Sequence, residues 1–359
     1  NYNVVVGDEA GTAITTGDGN TAIGYQALET ATTASNNTAI GLSALRENTS
    51  GAQNTAVGRL SADALTEGSA NVALGNAALT ADTLGSKSVA VGNAALGAQN
   101  FTTATDSFNT AVGYNAGTLV TTGTSNTLLG ARSGDALTTG SLNVAIGLDA
   151  LTTDTAGNRS IAIGVNALQQ QNLTTSTSAQ NTAVGYEAGK SMTTGTNNTL
   201  IGALAGDAIT DADGNIAVGT LALSANVLGS SSIAMGYGAL ATQNPATAAT
   251  MYNTAVGASA GTAVTTGVSN TLTGGLAGDA ITTGDYNVAF GRSALSTNTA
   301  SNTNVAIGGQ SLADFNVTTD TDTHNVAVGY ATGAAMTTGI QNTLIGGLAG
   351  DSITTGGNN

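Results

Sequence analysis

Asn37-Thr38-Ala39-Ile40-Gly41 decides how this chain is read, because the same five-residue phrase returns, with small substitutions, throughout the sequence. Its closing glycine recurs at Gly7, Gly24, Gly41, Gly58, Gly75, Gly92, Gly113, Gly130, Gly147 and Gly164. It continues at Gly185, Gly202, Gly219, Gly236, Gly257, Gly274, Gly291, Gly308, Gly329 and Gly346. The twenty copies follow a 17-residue step, except across 92–113, 164–185, 236–257 and 308–329, where the step is 21. A fixed short period signifies a solenoid: one repeat cannot bury its own apolar face, and stacking neighbours creates the core.

Three short steps and one long step form a 72-residue unit that is itself repeated, over 37–108, 109–180, 181–252 and 253–324. A half unit, 1–36, precedes these and another, 325–359, follows. We read 1–359 as a single repetitive domain. Solenoids usually carry capping segments, and this pattern shows none, so the chain is expected to be a slice of a longer fibre.

Within each copy the residues before glycine suit a short strand. The residue just before it is mostly Val, Ile or Leu, with Met235, Phe290 and Thr273 as exceptions. Two before it lies Ala, or Leu at Leu128, Leu200, Leu272 and Leu344, and Val5 in the first copy. Alternate side chains of a strand face opposite ways, so both faces here are small or apolar and both call for cover. A lone solenoid covers only one of them. The expected remedy is a homotrimer, with Ala and Asn inside each coil and branched side chains packed around a shared axis.

The first residue of the phrase is Asn in 17 of 20 copies and Ser at Ser88, Ser160 and Ser232. Stacked coils would align these amides into a ladder; the alternative is a turn-favouring Asn before each strand. Thr-Thr-Gly, as at Thr15-Thr16-Gly17, Thr121-Thr122-Gly123 and Thr282-Thr283-Gly284, is expected to form a second strand edge that ends in a glycine turn. Coils about 4.8 Å apart would give a rod of roughly 95 Å.

Composition excludes several classes. Only 8% of the 359 residues are charged and 3% aromatic, with 50 Gly, one Pro, no Cys and no Trp. That is far from the quarter charged of an ordinary globular domain. Collagen is excluded by the missing Gly-X-Y period. A net charge of −15 argues against nucleic acid and anionic membranes as partners. Without Cys there is no disulfide or thiolate chemistry, and no apolar run is long enough to span a membrane.

Asn-Thr-Ala-Ile-Gly at 20–24 and 37–41, and its variant Ser-Val-Ala-Val-Gly at 88–92, resemble YadA-like head repeats of trimeric autotransporter adhesins. Strings such as Asn20-Thr21-Ala22-Ile23-Gly24-Tyr25-Gln26-Ala27-Leu28 are also similar to repeats in bacterial and phage fibre proteins. The resemblance covers all twenty coils. It implies an all-β, left-handed parallel β-roll, built as an intertwined or side-by-side homotrimer and placed outside the cell. The coils here are longer than the usual adhesin head coil, and neck, stalk, membrane barrel and terminal chaperone are not in this sequence.

Candidate sites are few. His324 is the only histidine, which leaves little scope for a Ser-His-Asp triad. Gly185-Tyr186-Glu187-Ala188-Gly189-Lys190-Ser191 is one residue short of a phosphate loop. Asp63, Asp135, Asp207, Asp279 and Asp351 recur at the same place in successive repeat units. In a trimer each would form a ring of carboxylates able to hold Ca²⁺, or else serve as a turn Asp accepting backbone N–H bonds. Asp211-Ala212-Asp213-Gly214 is a partial calcium loop without its closing Glu. We therefore expect no catalytic residue, no cofactor and no resident metal. The four long coils, with extra residues within 97–108, 169–180, 241–252 and 313–324, bring in Phe101, Phe108, Pro245, Tyr252, Phe315 and His324. As loops on a rigid scaffold they are the candidate binding sites. Tyr25, Tyr114, Tyr186, Tyr237 and Tyr330, each just after a repeat glycine, are expected to pack at coil corners.

These observations predict a structural and adhesive extracellular fibre: the shaft or head of a surface adhesin or biofilm filament that attaches to a host cell, a neighbouring cell or a surface receptor. The alternative is a phage tail fibre. Two further classes fit less well. A glycan-cleaving tailspike needs clustered carboxylates, and the acids here are scattered. An ice-binding solenoid needs flat Thr arrays, and the Thr-Thr pairs are interrupted, as where Asp211 follows Thr210.

Overall fold

In the computed structural model, which describes residues 2–359, the repeat phrase forms a three-residue strand in every coil. The chain divides into two compact units, Asn1–Gln180 and Asn181–Asn359, and the boundary falls where the third 72-residue repeat begins. Each unit is an all-β solenoid of ten parallel-strand coils, and no helix occurs among the described residues.

In the first unit, strands run from Val4–Val6 and Thr21–Ile23 to Val144–Ile146 and Ile161–Ile163. In the second they run from Thr182–Val184 to Thr343–Ile345. Neighbours pair parallel and in register, so that Ala22, Ala39 and Ala56 lie side by side. Register cannot slip, since a one-residue shift would turn every inward Ala outward.

Counting the ladder Asn as the first position, the third residue of each coil points inward. Ala39, Ala56 and Ala73 are buried there, joined by Ala44 and Leu45 from the turn that follows the glycine. The ladder is real. Oδ1 of Asn37 accepts the backbone N–H of Asn54 at 2.8 Å, while its Nδ2 donates to the Gly51 carbonyl at 2.9 Å and to Oδ1 of Asn20 at 3.2 Å. Each amide thus ties its own coil across the interior and hands an acceptor to the next, which satisfies polar groups that burial would otherwise penalise. The repeat glycine has two reasons to be invariant. Gly41 has φ +134, and a Cβ on it would lie 2.5 Å from the Gly58 carbonyl oxygen of the next coil.

In most coils the ninth and twelfth positions supply one large interior side chain between them, in two ways. In one kind of coil the ninth residue is Leu and the twelfth is small or polar, as with Leu28 and Ala31 or Leu45 and Asn48. In the other the ninth is Gly and the twelfth is large, as with Gly117 and Val120 or Gly134 and Leu137. The strand Leu128 then fills the room both glycines leave: a Cβ on Gly117 would stand 2.6 Å from Leu128 Cδ1, and one on Gly134 would stand 2.8 Å from its Cδ2. Leu272 sits the same way between Gly261 and Gly278. Close packing of this sort leaves no slack for an added methylene.

Thr-Thr-Gly does not form a strand. The backbone N–H groups of Thr15, Thr16 and Gly17 converge on the single carbonyl of Thr32, at 3.1, 3.2 and 3.3 Å. That bend cannot present the alternating donors of a ladder. What continues the stacking is a second side-chain ladder at the sixteenth position, which the sequence reading missed. Ser69 Oγ accepts from Ala52 N, and Ser86 Oγ from Ser69 N, both at 3.0 Å. In the second unit Asp213 accepts from Thr196 N, and Asp285 from Val268 N, both at 2.7 Å. Genuine second strands appear only at the long coils, where Gly85–Ser86 pairs with Thr105–Asp106 and Gly229–Ser230 with Ala249–Thr250.

Candidate functional site

The outward positions of each strand, second and fourth in the coil, form two parallel columns of Thr, Val and Ile. Ile23, Ile40, Val57 and Val112 in the first unit, and Ile201, Met235, Phe290 and Ile307 in the second, are exposed. Isolated apolar side chains on a surface are ordinary, but a contiguous stripe is not. Here the strand period repeats the stripe at every coil, so it runs along each unit.

The residue after the repeat glycine extends this face. Tyr25, Tyr114, Tyr186, Tyr237 and Tyr330 are all exposed, which corrects the expectation that they pack at corners. The left-handed turn that follows has already filled the interior with Ala and Leu, so the ring has no room inside. Leu42 and Leu148 occupy the same position and are exposed as well.

The long coils divide the candidate binding residues into two sets. Phe101 is only 5% exposed and Phe315 0%, and this overturns their role as loop binding residues. Both turn into the interior, because a coil lengthened by four residues encloses volume that must be filled. Pro245 is buried too. The outward tips are instead small and polar, as at Thr102-Thr103-Ala104 and Thr174-Thr175-Ser176. Phe108, Tyr252 and His324 are exposed, each at the last position of a long coil. The Lys87 ammonium lies 5.2 Å from the Phe108 ring centre and 2.6 Å from Asp106 Oδ2, a small surface clasp across two coils.

Inside the first two long coils lies a polar network that sequence reasoning did not find. Gln99 Nε2 donates to Asp82 Oδ2 at 2.6 Å and to Ser88 Oγ at 2.8 Å, and Gln99 Oε1 accepts from Asn109 Nδ2 at 2.9 Å. Asp82 Oδ1 accepts the backbone N–H groups of Gly85 and Phe101 at 3.0 and 3.1 Å. Asp154, Gln171, Ser160, Gly157 and Leu173 repeat the arrangement. Ser replaces Asn at these coils to make room for Gln, which bridges the gap in the amide ladder. The signal was present in the sequence. Ser88, Ser160 and Ser232 are followed at one fixed spacing by Gln99, Gln171 and Gln243, whereas Asn304 is followed at that spacing by Phe315. Burial pushes the carboxyls of Asp82 and Asp154 above their usual range, against hydrogen bonds that pull the other way.

The five periodic aspartates do not meet one another. Each sits singly in the turn of its own coil. Asp63 accepts from Thr80 Oγ1, while Asp207 Oδ1 and Asp279 Oδ1 are buried without a hydrogen-bond partner. Burial raises the pKa of Asp135, Asp207 and Asp279. Among the described residues no group of three His, Cys, Asp or Glu is placed to hold a metal ion, and no cavity is found. Asp211 and Asp213 are engaged with Thr210 Oγ1 and Thr196, at 2.7 to 2.9 Å. Lys190 pairs with Glu187 at 2.9 Å within an ordinary turn. The first Thr of the Thr-Thr pairs is also committed: Thr121 and Thr138 donate their hydroxyls to the carbonyls of Thr138 and Thr155, at 3.1 and 2.9 Å.

Comparison with known proteins adds no relative: no family model matches this chain, and no curated protein does.

Proposed function

We propose that the chain is a structural and adhesive fibre segment that works outside the cell, assembled as a homotrimer in the shaft or head of an attachment filament. One observation carries this reading. A solenoid whose interior polar groups are bound in ladders nevertheless exposes a regular, branched apolar stripe along its strands. A stripe with the coil's own period is best matched by another copy with the same period, because only such a partner can repeat each contact at every step. Three copies meeting on these faces would hide the stripe and leave the acidic turns in water. Function then follows from repetition: weak contacts offered at successive coils sum to firm attachment.

Sedimentation of the purified chain tests the assembly. We expect a native mass near three times 34.6 kDa. Ile146→Asp combined with Ile201→Asp changes two outward positions, one in each unit, and is expected to give monomer with an unchanged far-ultraviolet spectrum. A monomeric parent protein would refute the shared apolar face.

A further inference from the structure

One column of the second unit does something the scaffold does not need. The last residue of every coil there adopts a left-handed backbone, and Asn197, Gly214 and Asn358 occupy it at φ 60, 67 and 63, as the geometry prefers. Yet the same column carries Tyr252, Tyr286 and His324 at φ 52, 56 and 53. Bulky rings in this region cost backbone energy. They recover none of it by burial, since Tyr252 is 65% exposed, Tyr286 61%, and His324 is exposed too. Ser269 and Thr303 stand between them, at φ 59 and 60. Backbone bonds stack the column tightly: Ser269 N donates to Met251 O at 2.8 Å, Tyr286 N to Val268 O at 3.0 Å and Thr303 N to Asp285 O at 3.1 Å.

The result is ring, hydroxyl, ring, hydroxyl, ring, with the rings two coils apart, or roughly 9.6 Å. That interval is close to the length of one disaccharide in an extended β-1,4-linked polysaccharide. The C–H face of a pyranose is apolar and stacks on an aromatic ring, while its equatorial hydroxyls reach sideways for hydrogen bonds. The Tyr hydroxyls and Ser269 are placed to supply those bonds, while Thr303 Oγ1, which already donates to the Asn302 carbonyl at 2.7 Å, serves the sugar as an acceptor. The local charge selects among polymers. From 252 to 330 the chain has five acids and one base, Arg292, so a uronate or sulfated chain would be repelled.

We propose that Tyr252, Tyr286 and His324, with Ser269 and Thr303 between them, form a linear binding site for an uncharged β-1,4-linked polysaccharide. The proposal deepens the attachment reading by naming what the fibre grips, and it takes biological sense from that reading. Titration calorimetry of the whole chain with cellohexaose tests it, with a hexauronate oligosaccharide as the charge control and native mass measured on the same samples. We expect a Kd tighter than about 1 mM for cellohexaose and none measurable for the uronate. Tyr252→Asn with Tyr286→Asn uses a residue the left-handed backbone accepts, so folding is kept, and binding is expected to weaken about tenfold or more. Absence of cellohexaose binding by the parent chain, equal binding by the double variant, or loss of native mass in that variant would each overturn the site, the last by assigning the rings to a subunit contact. A monomer that binds cellohexaose keeps this site and refutes the trimer; a trimer that binds nothing refutes this site alone.

Discussion

Asp82 and Asp154 show how much one buried side chain can set. Burial raises both carboxyls above the value they have in the unfolded chain, so the folded state holds their protons more tightly. Stability from this source is therefore fully present below the unfolded pKa and is lost as pH rises through the folded one. The first unit should thus gain thermal stability on acidification from neutral pH toward the unfolded carboxyl value. Asp82→Asn with Asp154→Asn should remove their share of that gain, leaving that of Asp135, and stabilise the chain at neutral pH, as read from melting curves across that range. The chain contains its own precedent, since the equivalent positions in the next two repeats are Asn226 and Asn298. The amide ladder makes a second prediction. Asn126→Ala leaves Asn143 N–H and the Gly140 carbonyl without the partners they now have at 3.0 and 2.9 Å. A loss of about 1–3 kcal/mol per group left unsatisfied should appear as faster amide exchange in the coils on either side of 126.

At the scale of the coil, interior volume is conserved rather than any single residue. Gly117→Leu should be severely destabilising, because even a Cβ there lies 2.6 Å from Leu128 Cδ1 and 3.1 Å from Leu96 Cδ2. Overpacking of this kind costs about 1–3 kcal/mol or more. Adding Val120→Asn and Leu128→Ala recreates the pattern of Leu45, Asn48 and Ala56 in an existing coil, and the triple variant should recover most of the lost melting temperature. Failure of that rescue would show that the two kinds of coil are not interchangeable. The long coils obey the same rule, with Phe101 and Phe315 drawn inside to occupy what the extra residues enclose.

At the scale of the molecule, the balance lies between an apolar stripe and a charge of −15. In the proposed trimer, association through the stripe would be driven by water leaving Ile and Val, and the acids would oppose it through long-range repulsion. Salt screens the second and not the first. The native mass should therefore hold, or the assembly tighten, between about 0.05 and 1 M salt. Dissociation at high salt would point to ion pairs as the contact instead. The proposed multivalent attachment belongs to this scale as well, because it would sum contacts over many coils.

The sequence by itself determined the coil. A constant step lengthened at four places, an Asn or Ser at a fixed position and a glycine soon after it predicted parallel strands, an inward Ala column and an amide ladder, and the structure shows each of them. This was legible because stacking in a solenoid is local: every coil meets only its neighbours, so one residue's environment is repeated by its equivalents a period away. The tertiary structure alone decided which side of the chain each departure from the pattern would take. Phe101 and Phe108 are both aromatic and belong to the same insert, yet one is buried and the other exposed. Thr-Thr-Gly has the composition of a strand and forms a bend. Asp82 and Asp106 look equally ordinary, and one sits in the interior network while the other pairs with Lys87. Those outcomes depend on volume and on donors and acceptors supplied across the coil, and neither quantity is carried by the identity of the residue itself.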